Sequence, residues 1–254
     1  MNLLLTNDDG IFAPGLMALK NRLDRDHRVH IVAPESEQSA VGHAITLADP
    51  IKVKEIKKNG AFHGYAVSGT PADCVRIGVS ELLDRPPDAV ISGVNRGANV
   101  GINILYSGTV SAATEAAILG LPAAAVSLDQ YSEPDFTHAV EVAARLVPQL
   151  KQWCDAPGLC LNVNVPGLDP ADIKEPVVVH QCLQTADETF DRRVDPRDNL
   201  YYWRGKEIPP RQPDPDSDLV ALSRGHITIT PLRFDLTFHR EMAGLRRSVA
   251  LFKT

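Results

Sequence analysis

Adjacent carboxylates in Asn7-Asp8-Asp9-Gly10 directly follow the apolar run Met1-Asn2-Leu3-Leu4-Leu5-Thr6. Such a run ending in a Gly-containing turn reads as a buried strand whose carboxyl end carries both acids. Open α/β sheets bind their ligands at that edge. Two neighbouring negative charges in a partly dry crevice need a neutralising partner, most simply a divalent cation. A surface turn is the competing reading of these four residues taken alone, because Asn, Asp and Gly are ordinary turn formers.

Further segments carry residue types suited to the same edge. In Gly93-Val94-Asn95-Arg96-Gly97-Ala98-Asn99-Val100-Gly101-Ile102-Asn103 the triplet Gly-x-Asn occurs three times, letting backbone N–H groups and amide oxygens crowd round a small ligand. The G-x-G-x-x-G dinucleotide fingerprint is absent. Ser-Gly-Thr occurs twice. Ser68-Gly69-Thr70-Pro71-Ala72-Asp73 has a Thr-x-x-Asp capping pattern with Pro at the first helical position, so helix initiation explains it. Ser107-Gly108-Thr109 lacks an acidic residue at the capping-box position, which leaves helix N-terminal donors for a phosphate, with Thr109 as an ordinary N-cap the alternative. The polar loop at residues 34–43 offers more oxygen ligands, and its His43 reads as a hydrogen-bonded bystander rather than a base. No H-x-x-x-H spacing occurs, so an oxygen-only site favours Mg²⁺ or Mn²⁺ over Zn²⁺.

These segments need a scaffold that brings them to one edge. Strand patterns at residues 3–6, 29–33, 89–92, 123–128 and 159–165 alternate with helical patterns at 15–23, 71–82, 110–119 and 136–153. A hairpin is expected from residues 45–53 and 62–67. The alternation predicts a Rossmann-like, doubly wound α/β core with a mostly parallel sheet. Residues 187–218 break the rhythm with charge, the aromatics Phe190, Tyr201, Tyr202 and Trp203, and the prolines Pro209, Pro210, Pro213 and Pro215. Prolines at that density exclude a helix, and the aromatics need a covering surface, so an extended arm packed on a second subunit is expected. A final strand at residues 227–230 returns the chain to the body. The expectation is a single domain over residues 1–254, with a core at about 1–180 and an oligomerisation arm at about 181–240.

Composition narrows the function classes. A chain of 254 residues buries a substantial core, and its net charge of -6 provides no global basic field for nucleic acid or an anionic membrane. The four cysteines, Cys74, Cys154, Cys160 and Cys182, contain no C-x-x-C pair and read as reduced thiols of a cytoplasmic protein. No signal-peptide pattern opens the chain, and Glu115, Gly120 and Pro122 make the Ala-rich stretch at 112–128 core rather than membrane span.

Taken together, the blocks Leu-Thr-Asn-Asp-Asp-Gly, Ser-Gly-Thr-Pro-Ala-Asp-Cys-Val, Ile-Ser-Gly-Val-Asn-Arg-Gly-Ala-Asn and Tyr-Ser-Gly-Thr-Val-Ser-Ala-Ala-Thr-Glu-Ala closely resemble the stationary-phase survival protein SurE family. The likeness covers residues 1 to about 130 and weakens toward Ile229-Thr230-Pro231-Leu232. It implies a metal-dependent 5'-nucleotidase acting on nucleoside monophosphates, with 3'-nucleotidase and exopolyphosphatase activity as possible additions. It also implies one divalent cation per subunit held by Asp8, Asp9, Ser39 and Asn95, and phosphate held by Ser107, Gly108 and Thr109 beside Asn95. A C-terminal segment exchanged between subunits of a homodimer or homotetramer is implied as well.

The mechanism expected on that basis is direct attack of a cation-activated water on phosphorus, with Asp8 or Asp9 taking the proton. Arg96 either offsets leaving-group charge or lies at the surface. Two rival readings are a haloacid-dehalogenase-like phosphatase and a nucleotide-sensing module without turnover. The first forms an aspartyl-phosphate and ordinarily uses Asp-x-Asp rather than contiguous aspartates. The second is not excluded by fold.

Overall fold

The computed structural model describes residues 1–249 except 59, 206, 207 and 209, so Pro209 of the proline cluster lies outside the described residues. In chain order the elements are β1 (Asn2–Thr6), α1 (Pro14–Leu23), β2 (Arg28–Pro34), β3 (Val53–Lys58), β4 (Ala61–Val67) and α2 (Pro71–Ile77). Next come β5 (Ala89–Arg96), α3 (Gly108–Ile118), β6 (Ala123–Asp129), α4 (Thr137–Leu146), α5 (Leu150–Trp153), β7 (Leu159–Pro166) and β8 (Lys174–Val178). The chain ends with β9 (Phe190–Val194), β10 (Leu200–Arg204), α6 (Asp218–Ser223), β11 (His226–Arg233) and α7 (His239–Val249).

Nine strands form one sheet in the order β3-β4-β2-β1-β5-β6-β7-β11-β8. The pairs from β4 to β7 are parallel, whereas β3 with β4 and β11 with β7 are antiparallel. The expected doubly wound, mostly parallel sheet is therefore present. Strand β1, inside the sheet, shows why both faces are covered. Leu3 and Leu5 of β1 join the cluster with Leu16, Leu19 and Leu23 of α1 and Ala139 and Ala143 of α4, while Leu4 joins Cys74 and Val75 of α2 and Ala112, Ala113 and Ala116 of α3. Alternate side chains of one strand thus enter opposite cores, which explains an unbroken leucine run. Each fully buried leucine contributes about 1.5–3 kcal/mol. The small residues of α3 and β6 let this helix lie close against the sheet, with Ala112, Ala123 and Ala125 completely buried.

β1 pairs with β2 on one side and with β5 on the other. Successive connections leave β1 in opposite directions, opening a crevice beyond the carboxyl ends of β1 and β5. Asp8 and Asp9 follow the first of these strands and Asn95 is the penultimate residue of the second.

Several elements differ from the sequence expectation. Residues 45–52 form no strand, and the hairpin instead uses Val53–Lys58. Pro50 removes a ladder donor, and Asp73 accepts from the Thr46 amide and hydroxyl, drawing this segment onto α2. The helix expected over 71–82 is α-helical only to Ile77 and finishes as a wider π turn, Gly78–Leu82. The helix expected over 136–153 breaks into α4, a 3₁₀ turn at Val147–Gln149 and α5, because Pro148 lacks an amide proton. β5 runs past Ser92 to Arg96 with a register shift between Gly93 and Asn95. β8 and α7 are additional elements, and β9 with β10 makes a two-stranded sheet separate from the main one. No described helix is long and apolar enough to cross a membrane.

Candidate active site

The turn after β1 is shaped by local chemistry. Gly10 adopts φ +103°, open to glycine, and the Asn7 side-chain amide donates to the Gly10 carbonyl at 2.9 Å. This closes the turn and projects the two intervening acids. The Gln38 amide donates to the Asp8 carbonyl at 2.7 Å, tying the 34–43 loop to the turn.

Asp8 is buried, and its Oδ1 accepts from the Thr109 hydroxyl. The Thr109 backbone amide also bonds its carboxylate. Burial raises the Asp8 pKa above the ordinary carboxylate value, with the Thr109 hydrogen bonds opposing. Asp9 is pushed up to about 6, first by burial and then by the charges of Asp8 and Glu37, with Arg96 acting against them. Asp8, Asp9 and Glu37 thus crowd together, with Arg96 the guanidinium acting on Asp9.

Asp8, Asp9, Ser39, Asn95 and Ser107 all line one cavity of about 320 Å³, together with Glu37, Arg96, Asn103, Tyr106, Tyr131 and Arg204. The structure thus gathers every metal-ligand candidate named from sequence. Among the described residues no three His, Cys, Asp or Glu side chains cluster to hold an ion. A cation here would rest on two carboxylates completed by neutral oxygens, a donor set suited to a hard ion. Two neutral side chains of the cavity have oxygens available for that role. Asn95 commits its Nδ2 to the Gly97 carbonyl at 2.8 Å, which leaves Oδ1 as the coordinating atom. Ser39 donates its proton to Glu37 Oε1 at 2.6 Å, leaving oxygen lone pairs for an ion.

The structure places the residues of the expected phosphate turn in different surroundings. Ser107 is the N-cap of α3, accepting from the Val110 amide at 3.1 Å, so Thr109 is not the cap. Ser107 faces the cavity, whereas the Thr109 hydroxyl and amide are directed at Asp8. A protein carboxylate thus occupies the anion seat at this helix N-terminus. Gly108 has a packing role, because a Cβ there would stand 2.7 Å from the Asp8 Cβ.

The three Gly-x-Asn triplets have separate roles. Asn95 faces the cavity, and Asn103 sits in the 3₁₀ turn Gly101–Leu105 at its rim. Asn99 also lines the cavity and is a buried node that donates from its amide to Asn164 Oδ1 and from Nδ2 to Ser127 Oγ, and accepts from Asn162 and Asn164. The other Ser-Gly-Thr copy is structural as expected, with Thr70 and Asp73 forming a reciprocal capping box. His43 donates to Glu115 at 2.7 Å and does not line the cavity. Arg96 does line it, beside Asp9.

A family model described as Survival protein SurE matches residues 3–188. The chain belongs to this family. A protein named 5'-nucleotidase SurE from Syntrophobacter fumaroxidans is 51% identical over 242 residues, covering 95% of this chain and 96% of the relative. Another of that name from Syntrophus aciditrophicus is 53% identical over 247 residues, covering 97% and 93%. The crystal structure of the family member from Aquifex aeolicus superposes with a TM-score of 0.83 at 36% identity, covering 97% of this chain and 98% of that one.

Glu37 lies in the polar loop and Asn103 in the third Gly-x-Asn triplet that the sequence offers as ligand-binding, whereas Tyr106, Tyr131 and Arg204 have no assigned role there; all five reach the cavity. Glu37 had a usable signal, since it lies two residues before Ser39 in the polar loop. Tyr131 has no local signal; its ring lies across Gly97, where a Cβ would stand 2.5 Å from the ring. Arg204 comes from β10, far along the chain, and no local pattern announces it.

Proposed function

We propose that this chain hydrolyses nucleoside 5'-monophosphates to nucleoside and phosphate, using one divalent cation held by Asp8, Asp9, Ser39 and Asn95. The observation that carries this reading is the convergence of these four side chains and Ser107 on one cavity at the carboxyl ends of β1 and β5. The names of the Syntrophobacter and Syntrophus relatives support the activity.

A bound Mg²⁺ or Mn²⁺ supplies Lewis acidity and charge neutralisation toward a phosphoryl oxygen and a water. The chain's own residues do the rest. Ser107 donates its hydroxyl proton to a phosphoryl oxygen while its lone pair caps α3. Arg96 lies in the cavity and balances negative charge near Asp9. Asp8 is clamped by Thr109 and acts as the rigid ligand, so Asp9 is the carboxylate that accepts the proton of the attacking water.

The β9–β10 hairpin exposes Phe190, Tyr201, Tyr202 and Trp203, which supports an arm covered by a second copy in a homodimer or homotetramer. The four cysteines are unpaired, supporting a reducing, cytoplasmic setting.

The test is phosphate release from a panel of nucleoside monophosphates with Mg²⁺ or Mn²⁺, before and after a chelator. Release that stops with chelator and returns with metal is expected. Tight nucleotide binding without release would favour a sensing module, and a trapped phosphoenzyme would overturn the direct water attack.

A further inference from the structure

Beside the acidic cavity lies a second one of about 180 Å³, bounded by Val100, Ile102, Gln184, Ala186 and Leu219 among others. Asn103 and Tyr106 line both cavities. The Arg204–Glu188 ion pair spans the division between them, since Arg204 lines the first and Glu188 the second. We infer that the second cavity is the nucleobase subsite for a substrate whose phosphate occupies the first. This inference rests on the nucleotidase reading above and adds the site that selects the organic group.

The two cavities differ in chemistry as the two ends of a nucleotide do. The first gathers Asp8, Asp9, Glu37 and Arg96, suited to cation and phosphate. The second is lined by Val100, Ile102, Ala186, Pro210 and Leu219 together with neutral polar side chains such as Asn103 and Gln184, with Glu188 the charged residue among them. Its volume lies below the roughly 300–1,000 Å³ of pockets that hold a whole drug-sized ligand, the scale of a subsite for one ring system. Gln184 lines the cavity and has a free donor group to offer that ring. Its Oε1 accepts from Cys182 Sγ at 3.2 Å and from the Asp214 amide at 3.3 Å, so its Nε2 presents donors. A base edge carrying ring nitrogen or carbonyl acceptors is its complement.

The cavity is built rather than incidental. Asp218, fully buried, accepts from the Gly101 amide on one wall and the Cys182 amide on the other, each at 2.9 Å. Gln181 completes the clamp by donating to the Gly101 carbonyl at 2.8 Å. Gly101 adopts φ +58°, a left-handed backbone that favours glycine, in the turn that Asp218 and Gln181 hold. The segment entering the arm is thereby fixed over the 3₁₀ turn that follows the Gly-x-Asn loop, and the space between them stays open.

The experiment compares kcat/KM for a nucleoside 5'-monophosphate and for ribose 5-phosphate, which lacks the base, in the full-length wild type, Ala186→Trp and Gln184→Leu. Wild type is expected to favour the nucleotide, and filling the cavity with Ala186→Trp is expected to lower that ratio by about tenfold or more. Gln184→Leu is expected to raise KM for the nucleotide by a few fold while kcat is retained, a split that general destabilisation does not produce. Thermal melting of each variant checks folding, and Gln184 is exposed, so its substitution does not disturb the core. An unchanged ratio in both folded variants overturns the subsite. Release from neither ester in wild type overturns the nucleotidase reading itself.

Discussion

A Cβ atom added at Gly108 would stand 2.7 Å from the Cβ of Asp8 and 3.0 Å from its Oδ2, with Pro71 Cγ at 3.1 Å on the other side. The first helical residue of α3 is therefore glycine because the carboxylate of Asp8 lies against it. Nothing in its own backbone requires this, since no left-handed φ is involved. Elsewhere in a helix, Gly→Ala gains up to about 1 kcal/mol. At Gly108 that gain meets a displaced carboxylate. Gly108→Ala is expected to reduce kcat/KM by about 100-fold, the loss associated with a misplacement of order 1 Å. Wild-type turnover in this variant would show that Asp8 needs no such close seat.

The partner of that contact is Thr109, whose hydroxyl and amide both reach Asp8. Thr109→Val keeps the shape and deletes the hydroxyl donor, leaving a buried carboxylate oxygen short of a partner. A loss of about 1–3 kcal/mol in urea denaturation is expected, with weaker Mn²⁺ binding by calorimetry. Thr109→Ser retains the donor and is expected to recover most of both. Equal behaviour of the Val and Ser variants would count against the hydroxyl's role.

This pair shows where sequence reasoning reaches its limit. Helix-start chemistry at Ser107-Gly108-Thr109 was legible, but the anion it holds arrives from 101 residues away. The fold places Asp8 against Thr109, and Ser107 is the residue of this turn that lines the cavity. The Asp8-Asp9 turn was readable because a leucine run and a glycine turn are local signals. Asn95 and Ser39 were readable as oxygen donors, though their shared cavity depends on strand order. The unbroken helix expected across Pro148 failed for a local reason that the sequence did contain. Arg204 depends wholly on how the arm folds back, and α7 keeps all its side chains out of the core, so no burial pattern marks it.

Glu115 ties the 34–43 loop to α3 by accepting from His43, and it accepts from Arg76 of α2 at 2.6 Å. Burial raises its pKa, but the hydrogen bonds and charges of His43 and Arg76 outweigh burial and hold it below its ordinary value of 4.5. A carboxylate depressed in the folded state stabilises fully above its unfolded pKa, and that contribution is lost as pH falls through the lowered folded value. Glu115→Gln is expected to lower stability by about 1–3 kcal/mol at pH 7, toward the lower end because Arg76 is half exposed. Its deficit relative to wild type should narrow on acidification below about 4.5. Urea midpoints across this range measure it, and a deficit independent of pH would refute the ionic origin.

The final prediction concerns the arm. In the protomer Trp203 is 61% exposed and Tyr202 is 54% exposed, neighbours on a strand whose five residues are all exposed. Exposure on that scale leaves little intramolecular packing to lose, so a charged residue here should spare the protomer fold. In an oligomer held through the hairpin, by contrast, a tryptophan is the type of side chain whose removal weakens association by about 2 kcal/mol or more. Trp203→Asp is therefore expected to shift a dimer or tetramer toward monomer while the melting of its secondary structure begins from a native-like spectrum. Light scattering coupled to size exclusion reads the mass directly. A monomeric wild type would remove the arm's proposed role, and an unchanged oligomer in the variant would move the interface away from β10.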